Sequence, residues 1–133
     1  MCIKFQAYKE RNQKFLAEYS NREGVQQLSS GVMYRVITRG KGEIPTANSV
    51  VMVHYKGTLI NGKVFDSTFN AGRPEKFRLS QLIEGWKIAL TQMPVGSHWE
   101  IVVPYNVGYG TRSAGDIKAY STLIFEIQLL GIA

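Results

Sequence analysis

The chain has one cysteine and two histidines among 133 residues. A lone Cys2 forms no internal disulfide. With only His54 and His98 beside it, neither a Cys/His zinc cluster nor a Cys–His nucleophile pair is expected. No serine lies in a nucleophile-elbow sequence, and Gly40-Lys41-Gly42 lacks the spacing of a phosphate loop. An enzyme drawn from this inventory needs neither nucleophile, metal nor cofactor. Long apolar runs are missing too. None approaches the roughly 18 residues of a membrane span. Lys4, Lys9, Glu10, Arg11, Lys14 and Glu18 interrupt the start, so it holds no signal-peptide apolar core. A chain complete as it stands is therefore expected in the cytoplasm. One whose start had been trimmed would be periplasmic or lipid-anchored, with Cys2 a remnant of that start.

Blocks of like charge are absent as well. The net charge is +6, from 16 basic and 10 acidic residues scattered along the chain. That fits a solubility charge better than a nucleic-acid footprint, and no nucleic-acid partner is expected. Weak anion binding, on the strength of a pI near 9.6, is the minor reading. Apolar content of 44% and charged content of 20% are those of a globular protein. The length suits one domain plus an appendage, and a core without disulfides.

The appendage is legible. Residues 3–20 contain no Gly or Pro, and Phe5, Tyr8, Asn12, Phe15 and Tyr19 recur at spacings of three and four. This predicts a helix with an aromatic stripe and one polar residue in the seam. Two readings stand: a helix docked on its own domain, or a dimer-forming arm. Gly24, Ser29, Ser30 and Gly31 break the pattern, placing an arm at residues 1–24 and a domain at 25–133.

Within the domain, alternation predicts strands over 32–38, 49–60, 63–66, 75–79, 99–103 and 122–130, with a shorter candidate at 25–28. Asn61-Gly62 predicts a hairpin through a type I′ turn. Phe77 and Leu79 point inward. Ser80 is the expected N-cap of a helix over 81–92, whose Ile83, Trp86, Leu90 and Met93 share one face. Gly85 inside it costs about 1 kcal/mol relative to Ala and suggests close packing there. Trp99 is assigned to an outer strand. Residues 105–121 form a long loop, a length usually kept for function. One helix on an antiparallel sheet of five to six strands is an α+β architecture.

The hairpin brings Tyr55, Phe65 and Asp66 together. With Ile83, Trp86, Tyr109 and Phe125 they make an inward set of aromatic and aliphatic side chains. Such a set is usually plain core. Buried Tyr and Trp need polar partners, however, and a carboxylate beside two rings is unusual there. A concave apolar site with a few placed polar groups fits a small ligand or a peptide.

These residues carry a resemblance. Val53-His-Tyr-Lys-Gly57, Gly62-Lys-Val-Phe-Asp-Ser67, Leu82-Ile-Glu-Gly-Trp86, Met93-Pro-Val-Gly96, Tyr109-Gly110 and Ser121-Thr-Leu-Ile-Phe125 resemble the FKBP family of peptidyl-prolyl cis-trans isomerases. The match runs in order over about residues 25–133. The entry, from Asn12 through Phe15-Leu16 and Gly24-Val25 to Ser30-Gly31-Val-Met-Tyr34, is similar to the bacterial macrophage infectivity potentiator subgroup.

The resemblance implies a half-barrel sheet wrapped around one short helix, preceded by an N-terminal helix that often dimerises. It implies an isomerase acting on proline-containing peptides and unfolded proteins, and binding of macrolides such as rapamycin. Trp86 would form the pocket floor, with Tyr55, Phe65, Asp66, Tyr109 and Phe125 around it. Leu82, Ile83, Ile117 and the rim position Glu75 would meet the substrate. Glu75 stands where well-known members carry an aromatic, so macrolide affinity is expected to be reduced. Ile117-Lys-Ala-Tyr120 stands where prolines commonly follow the isoleucine, which implies a looser flap. A non-catalytic peptide-binding module or holdase chaperone is the alternative function.

Overall fold

The computed structural model of the chain describes residues 3–115 and 117–133, with side chains in the first helix described from Gln6 onward. Cys2 and the Phe5 side chain, named above, lie outside what is described. The elements are α1 (Ile3–Ser20), β1 (Val25–Gln27), β2 (Met33–Thr38), β3 (Val50–Thr58), β4 (Val64–Ser67), α2 (Thr68–Ala71), β5 (Glu75–Arg78), α3 (Glu84–Leu90), β6 (His98–Val103) and β7 (Leu123–Ile132). The strands form one antiparallel sheet in the order β1-β2-β6-β7-β3-β4, and β5 also pairs with β3. Seven strands replace the expected five to six. The seventh is β1, the short candidate expected at 25–28.

Strand alternation builds the core. Val51, Val53, Tyr55 and Gly57 of β3 and Leu123, Phe125, Ile127 and Leu129 of β7 are all buried on the concave face. Against them α3 lays Trp86, Ala89 and Leu90. Gly85 does mark close packing: a Cβ there would lie 2.5 Å from Val103 Cγ1. The opposite face is covered by α1, where Tyr19 packs on Met33 and Val102. The described part of α1 is thus docked on the chain's own sheet. No helix among the described residues is long and apolar enough to cross a membrane.

Three local expectations are corrected. A type I′ turn needs positive φ at both central residues, but only Gly62 has it (φ 88°). Asn61 acts through its side chain, whose Oδ1 accepts the Lys63 N–H at 3.0 Å. Ser80 does not cap α3. It lies in a short 3-10 turn over Leu79–Gln81, and Leu82 (φ −93°, ψ 169°) and Ile83 (φ −59°, ψ 153°) are extended, which delays the helix to Glu84. Trp99 is not on an outer strand. β6 is flanked by β2 and β7, and Trp99 is 4% exposed and stacked on Tyr34 at 4.2 Å.

Candidate functional site

Between the concave sheet and the start of α3 lies a cavity of about 170 Å³. Its walls are Tyr55 (β3), Phe65 and Asp66 (β4), Phe77 (β5), Leu82 and Ile83 before α3, Trp86 (α3), Tyr109 of the long loop and Phe125 (β7). Trp86 is the hub. Its indole meets Tyr55, Phe77 and Phe125 edge to face, at centroid distances of 5.1, 6.0 and 5.3 Å. Phe65 meets Phe125 the same way at 5.7 Å. Edge-to-face contacts suit the ring quadrupoles and hold each ring at a fixed angle.

Two backbone features admit these rings. Strict alternation would send Phe65 and Asp66 to opposite faces. The β3–β4 register shifts between Gly57 and Thr58, pairing them with Asp66 and Val64 and leaving Phe65 as the extra residue. Such a bulge re-aims side chains, so both neighbours line the cavity. Gly57 supplies the room, since a Cβ there would lie 2.6 Å from Phe65 Cζ and 3.0 Å from Phe125 Cε1.

The polar groups are few and placed. The Tyr55 hydroxyl donates to Asp66 Oδ2 in a short hydrogen bond. Burial, then Asp66 and Glu75, push the Tyr55 phenol far above its ordinary range. Burial and Asp66 push the Tyr109 phenol upward as well. Both hydroxyls therefore keep their protons through neutral pH and act as donors. The Ile83 N–H has no acceptor among the described residues, because the extended backbone before α3 points it away from the helix ladder. His54 is on the other face of β3, stacked on Phe69 at 4.4 Å, with its Nδ1 2.6 Å from Thr68 Oγ1.

Eight of the ten expected site residues meet here. Ile117 does not line the cavity. It is 6% exposed and packs into the core, held by paired hydrogen bonds with Ala114 (2.8 and 2.9 Å). Glu75 is exposed at the rim, two residues along β5 from Phe77 and therefore on the same face. Phe77 belongs to the wall; its inward alternation was the signal.

Thr68 had no sequence signal. β4 and β5 pair with opposite ends of the same edge of β3, leaving a gap at Tyr55. The buried Thr68 hydroxyl fills it, accepting the Tyr55 N–H at 2.7 Å and lying 3.2 Å from the Tyr55 carbonyl oxygen.

Residues 41–130 match the family model for FKBP-type peptidyl-prolyl cis-trans isomerase, and residues 3–36 match the model for the domain amino-terminal to that isomerase. The chain is 47% identical over 130 residues to the FKBP-type 22 kDa peptidyl-prolyl cis-trans isomerase of Escherichia coli K12, covering 97% of this chain and 63% of that protein. It is 43% identical over 124 residues to the peptidyl-prolyl cis-trans isomerase Mip of Coxiella burnetii, covering 92% and 54%. The chain thus spans about two thirds or less of these relatives' length. Among solved structures, a peptidyl-prolyl cis-trans isomerase from Pseudomonas syringae superposes with a TM-score of 0.90 at 37% identity, covering 96% of this chain and 95% of that one.

Proposed function

Because the chain belongs to the FKBP-type peptidyl-prolyl cis-trans isomerase family, we propose that it accelerates rotation about prolyl bonds in peptides and unfolded proteins, in the cavity floored by Trp86. The observation that carries this is the combination of five interlocked rings with three placed polar positions. These are the Tyr55–Asp66 pair, the Ile83 N–H and the Tyr109 hydroxyl.

The barrier to rotation is about 18–20 kcal/mol because the planar amide is resonance-stabilised. At the twisted transition state that resonance is lost, and with it the charge separation that water solvates well. An apolar box therefore holds the twisted amide relatively better than water does. The proline ring seats on Trp86. The Ile83 N–H and the Tyr109 hydroxyl donate to carbonyls on either side of the rotating bond and keep the flanking chain in register. Asp66 holds the Tyr55 hydroxyl against the wall. Each ~1.4 kcal/mol gained in the twisted state alone is tenfold in rate.

Macrolides such as rapamycin compete for the same box, with an affinity lowered by the charged Glu75 at its rim. The homodimer implied by the family resemblance would have to use the charged outer face of α1, or displace the helix, since Tyr19 and Asn12 are buried against the chain's own domain.

A protease-coupled assay on a proline tetrapeptide, with and without rapamycin, tests the reading. Acceleration that rapamycin abolishes supports it. Binding of the peptide without acceleration would leave a binding module or holdase instead.

A further inference from the structure

The isomerase reading gives α1 no task, yet the helix is joined to the pocket loop by its most buried polar residue. We propose that α1 is a brace for that loop, with Lys9 and Asn12 as positioning residues that act on Tyr109 through the Tyr105–Tyr120 pair.

Asn12 is 1% exposed. Its Oδ1 accepts the buried Thr122 N–H at 2.7 Å, and its Nδ2 donates to the Tyr8 carbonyl at 2.8 Å. One side chain thus ties the helix to the far end of the loop. Beside it, Ser121 Oγ donates to the Lys118 carbonyl at 2.7 Å, which uses its only proton. The Tyr8 hydroxyl, 2.8 Å away, is therefore the donor to Ser121 Oγ. Lys118 Nζ lies over the Tyr8 ring at 5.3 Å.

Lys9 continues the line. Its Nζ sits 4.9 Å from the Tyr120 ring centroid and 6.0 Å from that of Tyr105, and the two rings meet edge to face at 5.0 Å. Lys9 has no carboxylate partner among the described residues, so the rings are what hold its charge. Tyr120 is held at φ 65°, a left-handed conformation that side chains disfavour and that surrounding contacts must maintain.

From this pair the coupling reaches the pocket in one step. The Tyr120 N–H donates to the Gly110 carbonyl at 3.0 Å, and the Gly110 N–H donates to the Tyr105 carbonyl at 2.9 Å. Gly110 is therefore clamped on both sides by the two residues under Lys9. Its chain neighbour is Tyr109, which lines the cavity while remaining 43% exposed. The loop beyond, residues 111–115, is exposed. The brace from α1 is what fixes the Tyr109 hydroxyl over the mouth.

Four variants of the full chain test this: Lys9→Ala, Lys9→Arg, Asn12→Ala and Asn12→Asp. Amide hydrogen exchange at Gly110 and Tyr120 is read beside KM and kcat on a proline tetrapeptide. Lys9→Ala is expected to speed exchange at both amides about fivefold and to raise KM about threefold with kcat little changed, the scale of one exposed cation–ring contact. Lys9→Arg, which keeps a cation over the rings, restores both. Asn12→Ala is expected to act more strongly, and Asn12→Asp, which keeps the acceptor for Thr122, to recover most of the loss. Should Asn12→Ala fail to fold, the Lys9 pair decides alone.

Unchanged exchange at Gly110 and Tyr120 in Lys9→Ala overturns the proposal. So does a rise in KM that Lys9→Arg fails to reverse. Only the kinetic arm rests on the isomerase reading: a wild-type chain without turnover would defeat that reading, while the exchange data would still decide the brace.

Discussion

Trp86 sets the residue scale. It serves the core and the cavity at once, so Trp86→Ala empties the pocket floor and also removes about 3–5 kcal/mol of packing. Loss of both stability and turnover is the expected result, read by urea unfolding and the peptide assay together. Asp66 differs: it is exposed, and its bond to Tyr55 orients a wall rather than supporting the core. Asp66→Ala is expected to lower kcat/KM about tenfold, or ~1.4 kcal/mol, in a protein of near-normal stability. Complete loss of turnover in that folded variant would mean that Asp66 transfers a proton. At the rim, Glu75→Phe should tighten rapamycin binding, measured by Trp86 fluorescence in a Trp99→Phe background. Residues whose type betrayed them, an aspartate among rings above all, were legible in the sequence. Thr68 was not. A threonine hydroxyl that stands in for a missing strand neighbour has no spacing or composition to mark it.

At the scale of elements, the sequence exposed what repeats and concealed what departs from repetition. The long alternations of β3 and β7 and the aromatic face of α1 are periodic, and they fold as their periods demand. The bulge at Phe65 and the extended Leu82-Ile83 step are one-residue interruptions of a period, and the cavity depends on both. Ile117, a substrate contact by the resemblance alone, is turned inward by its close pairing with Ala114, and no periodicity marks that turn. Asn12 was legible as a polar residue in an apolar seam, but its partner Thr122 lies 110 residues away. A chain beginning at Val25 should therefore keep its sheet yet lose stability. It uncovers Met33 and Val102 and strands the Thr122 N–H, which is expected to lower Tm by more than about 5 °C. An unchanged Tm would mean that α1 rests on the domain without supporting it.

At the scale of the molecule, three tyrosines govern the response to alkali. Burial and the Glu100 carboxylate raise the Tyr19 phenol, which donates to that carboxylate at 2.7 Å, and burial raises Tyr55 and Tyr109. Each holds its proton more tightly folded than unfolded. Their contribution to stability is therefore complete below the ordinary tyrosine pKa of about 10 and is lost as pH rises above it. Unfolding by urea at pH values from about 8 to 11 should show this fall, and Tyr19→Phe should reduce it. A stability that stayed level across that range would contradict the tyrosine environments described.

The same whole-molecule view bears on catalysis, where no proton needs to move. Rotation about an amide breaks no bond to hydrogen, the two cavity phenols stay protonated through neutral pH, and His54 is on the far face of β3. The most direct test is the pH dependence of kcat/KM for a proline tetrapeptide. A profile level within about twofold from about pH 5.5 to 8.5 is the expected result, whereas a bell-shaped profile would require an acid and a base and would contradict catalysis by holding the twisted amide.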